Sequence, residues 1–248
     1  MTELNDKERL RYSRHLLLKE VGEQGQLRLK QAHVAVVGCG GLGSPALFYL
    51  AASGIGRLTL IDDDEVELSN LQRQILYKIN HLGQAKTQAA SKVLASLNNE
   101  ITLNPVASML SEQNIADLLN QADVVLDCSD NFATRYLLNR YCVEQKKILV
   151  AGAAIATEGQ LMCFDFRHES ACYECIFPSG AAAAPQNCDN FGVLSPLLGI
   201  IGAKQAMLAI NTLLGHHQGS LFMCFDGMSL KQRQLHLSKD ASCACCGQ

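Results

Sequence analysis

The chain has 248 residues, 48% of them hydrophobic and 18% charged, and a formal net charge of −3. That size and balance describe an ordinary soluble globular protein, built as one large α/β domain or two small ones with a substantial core. The acidic balance leaves no basic field that favours nucleic acid or an anionic membrane, and with Trp absent and aromatics few a base-stacking platform is not expected.

In chain order, residues 1–30 are charged, lack the apolar core of a signal peptide and read as an amphipathic helical arm. The β-branched run 33–37 is a strand, the small-residue run 43–52 a helix and 57–61 a second strand. Together they make a right-handed parallel βαβ unit. A helix over 86–97, a strand over 101–106, a helix over 115–119 and strands over 124–127 and 148–150 continue the alternation. This pattern predicts a Rossmann-like, doubly wound, mostly parallel sheet with its ligand crevice at the strands' carboxyl ends. Beyond residue 155, strands at 159–166, 221–225 and 232–237 and one long helix over 196–214 suggest an antiparallel C-terminal extension of the same sheet. The apolar stretch 193–214 is interrupted by Gly199, Gly202, Lys204, Gln205 and Asn211, which suits a buried helix better than a membrane span. The Ala-rich segment 178–186 reads as a mobile crossover loop.

Between the first strand and its helix stands Gly38-Cys-Gly40-Gly41-Leu-Gly43. The first glycine of such a loop allows the tight turn, the second a close approach of backbone to phosphate, and the third close packing of helix on strand. Asp62 ends the second strand, about 20 residues on, where a carboxylate can accept from ribose hydroxyls. Helix N-terminal amides suffice for a dinucleotide, whereas a triphosphate needs added cations and a divalent metal on oxygen ligands. Asn70, Arg73 and Lys86 supply such donors, and Asp130, in Asp127-Cys-Ser129-Asp130-Asn131, a hard ligand for Mg²⁺.

Eleven cysteines in a chain without a secretory signal point to reduced thiols in the cytoplasm, and so to metal or catalysis before disulfides. Cys172-x-x-Cys175 and Cys243-x-x-Cys246 have the spacing of a closed, structural zinc site of four thiolates that ties the C-terminal tail to the body. Cys245 leaves the choice of partner in the second pair open.

The motifs Gly-x-Gly-Gly-Leu-Gly, Ser-Asn-Leu-Gln-Arg-Gln (69–74), Leu-Asp-Cys-Ser-Asp-Asn (126–131) and the paired Cys-x-x-Cys fall in order. In them the chain resembles the ThiF/MoeB/HesA family, bacterial E1-like enzymes that adenylate ubiquitin-like sulfur carriers, from Arg11-Tyr-Ser-Arg14 to the final Cys-Cys-Gly-Gln. The resemblance implies one adenylation domain, with a helical arm (1–30), a nucleotide-binding half (31–155) and a zinc-containing, carrier-binding half (156–248). It implies ATP contacts from Gly41, Asp62, Asn70, Arg73 and Lys86, with Gln74, Ser129 and Asn131 in the same motifs, and Mg²⁺ on Asp130. It implies that Arg14, with Arg11 as the neighbouring candidate, reaches the partner subunit's triphosphate, which requires a homodimer. The family pattern pairs Cys243 with Cys246.

The implied partner is a sulfur carrier ending in Gly-Gly, whose carboxylate attacks the α-phosphorus of ATP and expels pyrophosphate. No general base is needed, because a carboxylate is already ionised at neutral pH. The Asn-Cys188 context leans toward a ThiS-like carrier of thiazole synthesis, where a cysteine here can bond to the activated carrier. A MoaD-like carrier of molybdopterin synthesis is the alternative. The end at Gln248 leaves no room for an appended rhodanese, so sulfur is expected from a separate donor, a cysteine desulfurase or rhodanese. An NAD-dependent oxidoreductase would use the same glycine loop but leaves Arg73, Lys86 and Asp130 without a task. A catalytically dead scaffold would not be expected to keep the triphosphate cations Arg73 and Lys86, and the acidic charge disfavours an adenylating enzyme acting on tRNA.

Overall fold

A computed structural model describes residues 3–179 and 192–247. The arm is three short helices, α1 (Asp6–Arg11), α2 (Ser13–Leu16) and α3 (Gly22–Gln31), where one amphipathic helix was expected. The first break falls at Tyr12, whose ψ of 14° leaves the α region. α3 opens on Gly22 at a φ of +56°, a conformation open to glycine without strain. Asn5 and Glu8 form a reciprocal capping box that starts α1.

Strands β1 (His33–Val37), β2 (Arg57–Ile61), β3 (Thr102–Val106), β4 (Val124–Asp127), β5 (Ile148–Ile155), β6 (Glu158–Asp165), β7 (Leu221–Asp226) and β8 (Lys231–Leu235) form one sheet in the order β3-β2-β1-β4-β5-β6-β7-β8. The first five spatial neighbours pair in parallel and the last three are added antiparallel, as the sequence suggested. Every residue of β1 is buried, as expected of a central strand covered on both faces. The direction of winding reverses between β1 and β4, so a crevice opens above their carboxyl ends.

One face carries α4 (Gly43–Ala52), α5 (Lys86–Leu97) and α9 (Ser195–Leu214). Leu47, Leu50, Leu94, Ile201 and Leu208 there meet Val34, Val36, Leu58 and Leu126. The other face carries α6 (Ile115–Leu119), α7 (Phe132–Glu144) and the short α8 (Tyr173–Ile176), with Leu119, Leu138 and Cys142 on Ala35, Val125 and Leu149. α9 is long and apolar enough to cross a membrane by composition, but it packs on α4, β5 and β6 as a core helix. The strand read as 148–150 runs on to Ile155, where it turns into β6.

Candidate nucleotide site and thiolate cluster

The glycine loop lies at the switch point. Gly38 adopts a φ of +92°, and a Cβ there would come within 2.7 Å of the Cys128 carbonyl. A Cβ on Gly43 would overlap the Gly38 carbonyl, so the third glycine serves helix-on-loop packing and does not face ligand. The Cys39 amide donates to Asp62 Oδ2 (2.7 Å) and the Tyr77 hydroxyl to the Cys39 carbonyl (2.7 Å), which fixes the loop from two sides.

Above it opens a cavity of about 580 Å³, lined by the loop and by most of the expected polar residues. Gly38, Gly40, Gly41, Asp62, Arg73, Gln74, Lys86, Ser129, Asp130 and Asn131 all face it. Lys86, at the first turn of α5, is almost wholly buried and donates to Asp64 Oδ2 at 2.7 Å. Burial pushes the Asp62 carboxyl above its ordinary range, opposed by the Lys86 charge and by N–H donors from Cys39 and Asp64. Asp130 is exposed at the N-terminus of α7. Beside it Asn131 caps that helix, accepting from the Thr134 amide at 2.9 Å.

Two expected residues lie elsewhere. Asn70 does not line the cavity; its Oδ1 accepts from the Glu67 amide (3.2 Å), closing the turn that presents Arg73 and Gln74. Arg14, on α2, is exposed and away from this chain's cavity. Cys188 and most of the Ala-rich loop lie outside the described residues.

Three contributors were not foreseen. Arg135, buried one turn into α7, donates to the carbonyls of Ser129 (2.8 Å) and Gly152 (3.2 Å), and its charge opposes the burial that raises the Asp127 carboxyl. Gln205, a buried amide in the largely apolar α9, donates to the Asp127 carbonyl (2.8 Å) and so holds the end of β4. Tyr173 lines the cavity from the turn between Cys172 and Cys175. The signal for Arg135 was a charge at helical spacing from the Asn131 cap, and for Gln205 a polar residue inside an apolar run.

Cys172, Cys175, Cys243 and Cys246 bring their Sγ atoms within 4.8 Å of one another. Individual separations are 3.6 Å (172–243), 3.9 Å (172–175) and 3.4 Å (175–246). Four thiolates on a tetrahedral ion at Zn–S of about 2.3 Å stand about 3.8 Å apart, so this donor set fits zinc. Cys245 turns instead to Asn139, whose Nδ2 donates to its Sγ at 3.2 Å.

The chain matches the ThiF family over residues 12–245. It belongs to that family. Among curated ThiF-family relatives, the molybdopterin-synthase adenylyltransferase of Escherichia coli K12 is 42% identical, with all of both chains covered. The adenylyltransferase and sulfurtransferase MOCS3 of Culex quinquefasciatus is 44% identical over 99% of this chain, which spans only 57% of that relative. Among solved structures, E. coli MccB with MccA-N7isoASN gives a TM-score of 0.84 at 23% identity, over 98% of this chain and 76% of that one. E. coli MccB with ATP gives 0.82 at 24%, over 96% and 75%. At such identities the likeness speaks for the fold alone. The relatives' names favour the molybdopterin branch over the thiazole branch toward which the Asn-Cys188 context leaned.

Proposed function

We propose that this chain adenylates the C-terminal glycine of a MoaD-type ubiquitin-like sulfur carrier in molybdenum cofactor synthesis, with ATP as donor and pyrophosphate as leaving group. One observation carries the reading: Arg73, Lys86 and Asp130 line the same cavity as the glycine loop. A dinucleotide would leave that charge set without a use, whereas a triphosphate and an incoming carboxylate need it.

In this reading the loop amides and Lys86 take the phosphates, Arg73 the departing pyrophosphate and Asp62 the ribose. Asp130 would hold Mg²⁺, which when bound neutralises part of the triphosphate charge. The carrier tail enters past Ala153, Ala154 and Gln160, on the β5–β6 side of the cavity. Reaction then depends on bringing two anions together at fixed distance, and the chain's cations and oriented amides lower that barrier. The four-thiolate cluster would hold a structural zinc. Arg14 would act in the partner subunit of a cytoplasmic homodimer.

ATP–pyrophosphate exchange with a MoaD-type and a ThiS-type carrier tests the reading. Exchange is expected with the MoaD-type carrier, and Arg73→Ala or Asp130→Ala should abolish it without unfolding the protein. Exchange with the ThiS-type carrier alone would return the chain to the thiazole branch. Thermal stabilisation by NADH and not by ATP would remove the adenylation reading altogether.

A further inference from the structure

We infer that Tyr12 and Gln26 are positioning residues for Arg14, built to aim that side chain away from the body and into a second copy of the chain. This rests on the reading that Arg14 completes the partner's nucleotide site. Among the described residues the Arg14 side chain makes no hydrogen bond or ion pair, although its neighbours on the arm are held closely. Arg11 donates to the Leu97 carbonyl at 2.9 Å, and buried Glu8 pairs with Lys30 at 2.8 Å.

The two clamps flank Arg14 on either side. Tyr12, two residues before it, is buried with its ring over Gly54, whose φ of +80° and missing Cβ make the room. Its hydroxyl accepts from Asn98 Nδ2 at 2.9 Å, and the same amide donates to the Ala51 carbonyl at 2.7 Å. His15, one residue after Arg14, meets Gln26 Oε1 at 2.9 Å through Nδ1. Gln26 Nε2 donates to the Ser53 carbonyl at 2.9 Å, which fixes the amide's orientation and makes His15 Nδ1 the donor. Asn98 and Gln26 are wholly buried.

Both clamps end at the C-terminus of α4, on Ala51 in its last turn and on Ser53 at its C-cap, and the first turn of that helix carries the glycine loop. A rigid ten-residue rod therefore sets the place of α2 relative to the phosphate loop of its own chain. In a symmetric pair it sets Arg14 relative to the partner's loop by the same amount. Apolar packing would hold the arm with less directional control, whereas paired buried amides fix distance and direction. Pre-set geometry matters for a side chain that must reach across an interface, since a misplacement of about 1 Å can cost about 100-fold in rate.

The test is a double-mutant cycle in ATP–pyrophosphate exchange with a MoaD-type carrier, using Arg14→Ala, Gln26→Leu and the pair. Tyr12→Phe, which removes only a hydroxyl and keeps the ring on Gly54, is the second variant should Gln26→Leu fold poorly. Arg14→Ala should lower kcat by on the order of 10³-fold. Gln26→Leu should lower it by about 10-fold or more, and Tyr12→Phe by less. In the Arg14→Ala background both further losses should disappear, because nothing is left to aim. Clamp losses that persist at full size without Arg14 would show a merely structural role and overturn the inference, as would clamp variants with wild-type kcat. If Arg14→Ala alone left exchange unchanged, the reading of Arg14 in the partner's site would fall first, and this inference with it.

Discussion

Lys86 Nζ lies 2.7 Å from Asp64 Oδ2, yet the lysine side chain is 6% exposed and the aspartate 67%. A buried ammonium needs a counter-charge at all times, but its exposed partner can swing into water. A nucleotide phosphate can therefore replace Asp64 without leaving the lysine unpaired. Asp64→Asn should keep the affinity for a non-hydrolysable ATP analogue within about threefold, because the ligand supplies the lost charge. Lys86→Met should weaken it by about 10- to 100-fold, the span of one charge-assisted phosphate contact. Lys86→Arg should not restore it, since the planar fork does not fill the place of a point charge. Calorimetric titration reads all three; equal losses for Asp64→Asn and Lys86→Met would mean that the aspartate itself meets the ligand.

The thiolate cluster separates two neighbouring cysteines. Cys246 joins the four-sulfur group, while Cys245 accepts from Asn139. Cys245→Ser should keep about one zinc per chain, and Cys246→Ser should lose it, with faster proteolysis of the C-terminal tail. Metal analysis of protein purified without chelators checks this, and retention by Cys246→Ser would move the second ligand pair to Cys243 and Cys245.

Most of the sheet was legible because its strands are short β-branched runs at the right spacing from a glycine loop, and α4, α5 and α6 carry the expected bounds. The arm was not, because its breaks depend on the backbone at Tyr12 and Gly22 and not on hydrophobic period. The site divides in the same way. Arg73, Lys86 and Asp130, which line the cavity, were legible as charges in the segment after the second strand, at the start of the next helix and at the end of the fourth strand. Asn70 looked like a phosphate donor because an exposed amide and a capping amide have the same sequence appearance; only its bond to the Glu67 amide tells them apart. Arg135 and Gln205 act through carbonyls of distant strands, which no local pattern reveals.

Arg14 is exposed, and the cavity of its own chain does not include it. If it serves a partner subunit, two defective chains should rescue each other. Arg14→Ala and Lys86→Met homodimers should each be inactive in exchange. Random re-pairing makes half of the dimers mixed, and each mixed dimer holds one intact site, so about a quarter of all sites recover activity. Exchange assays after mixing and subunit re-equilibration measure this. A mixture as inactive as its components would place Arg14 in its own chain's chemistry or in none.

Asp165, fully buried at the end of β6, takes a two-pronged contact from Arg167 Nε and Nη2, each at 2.8 Å. Burial alone would raise this carboxyl, but the Arg167 hydrogen bonds and charge outweigh it and hold it below the ordinary value of 3.8. A depressed folded-state value means that the unfolded chain binds the proton more readily, so the pair stabilises the fold above the ordinary value. That stabilisation is lost as pH falls through the folded-state value. Because Arg167 is half exposed, water screens the pair and its worth is about 1 kcal/mol. Asp165→Asn should therefore lower stability to urea by about that amount at neutral pH, and the gap to the unaltered protein should close as pH falls below the ordinary carboxylate value and through the lowered folded-state one. A gap of unchanged size in acid would assign the loss to packing at the strand end and not to the carboxylate's charge.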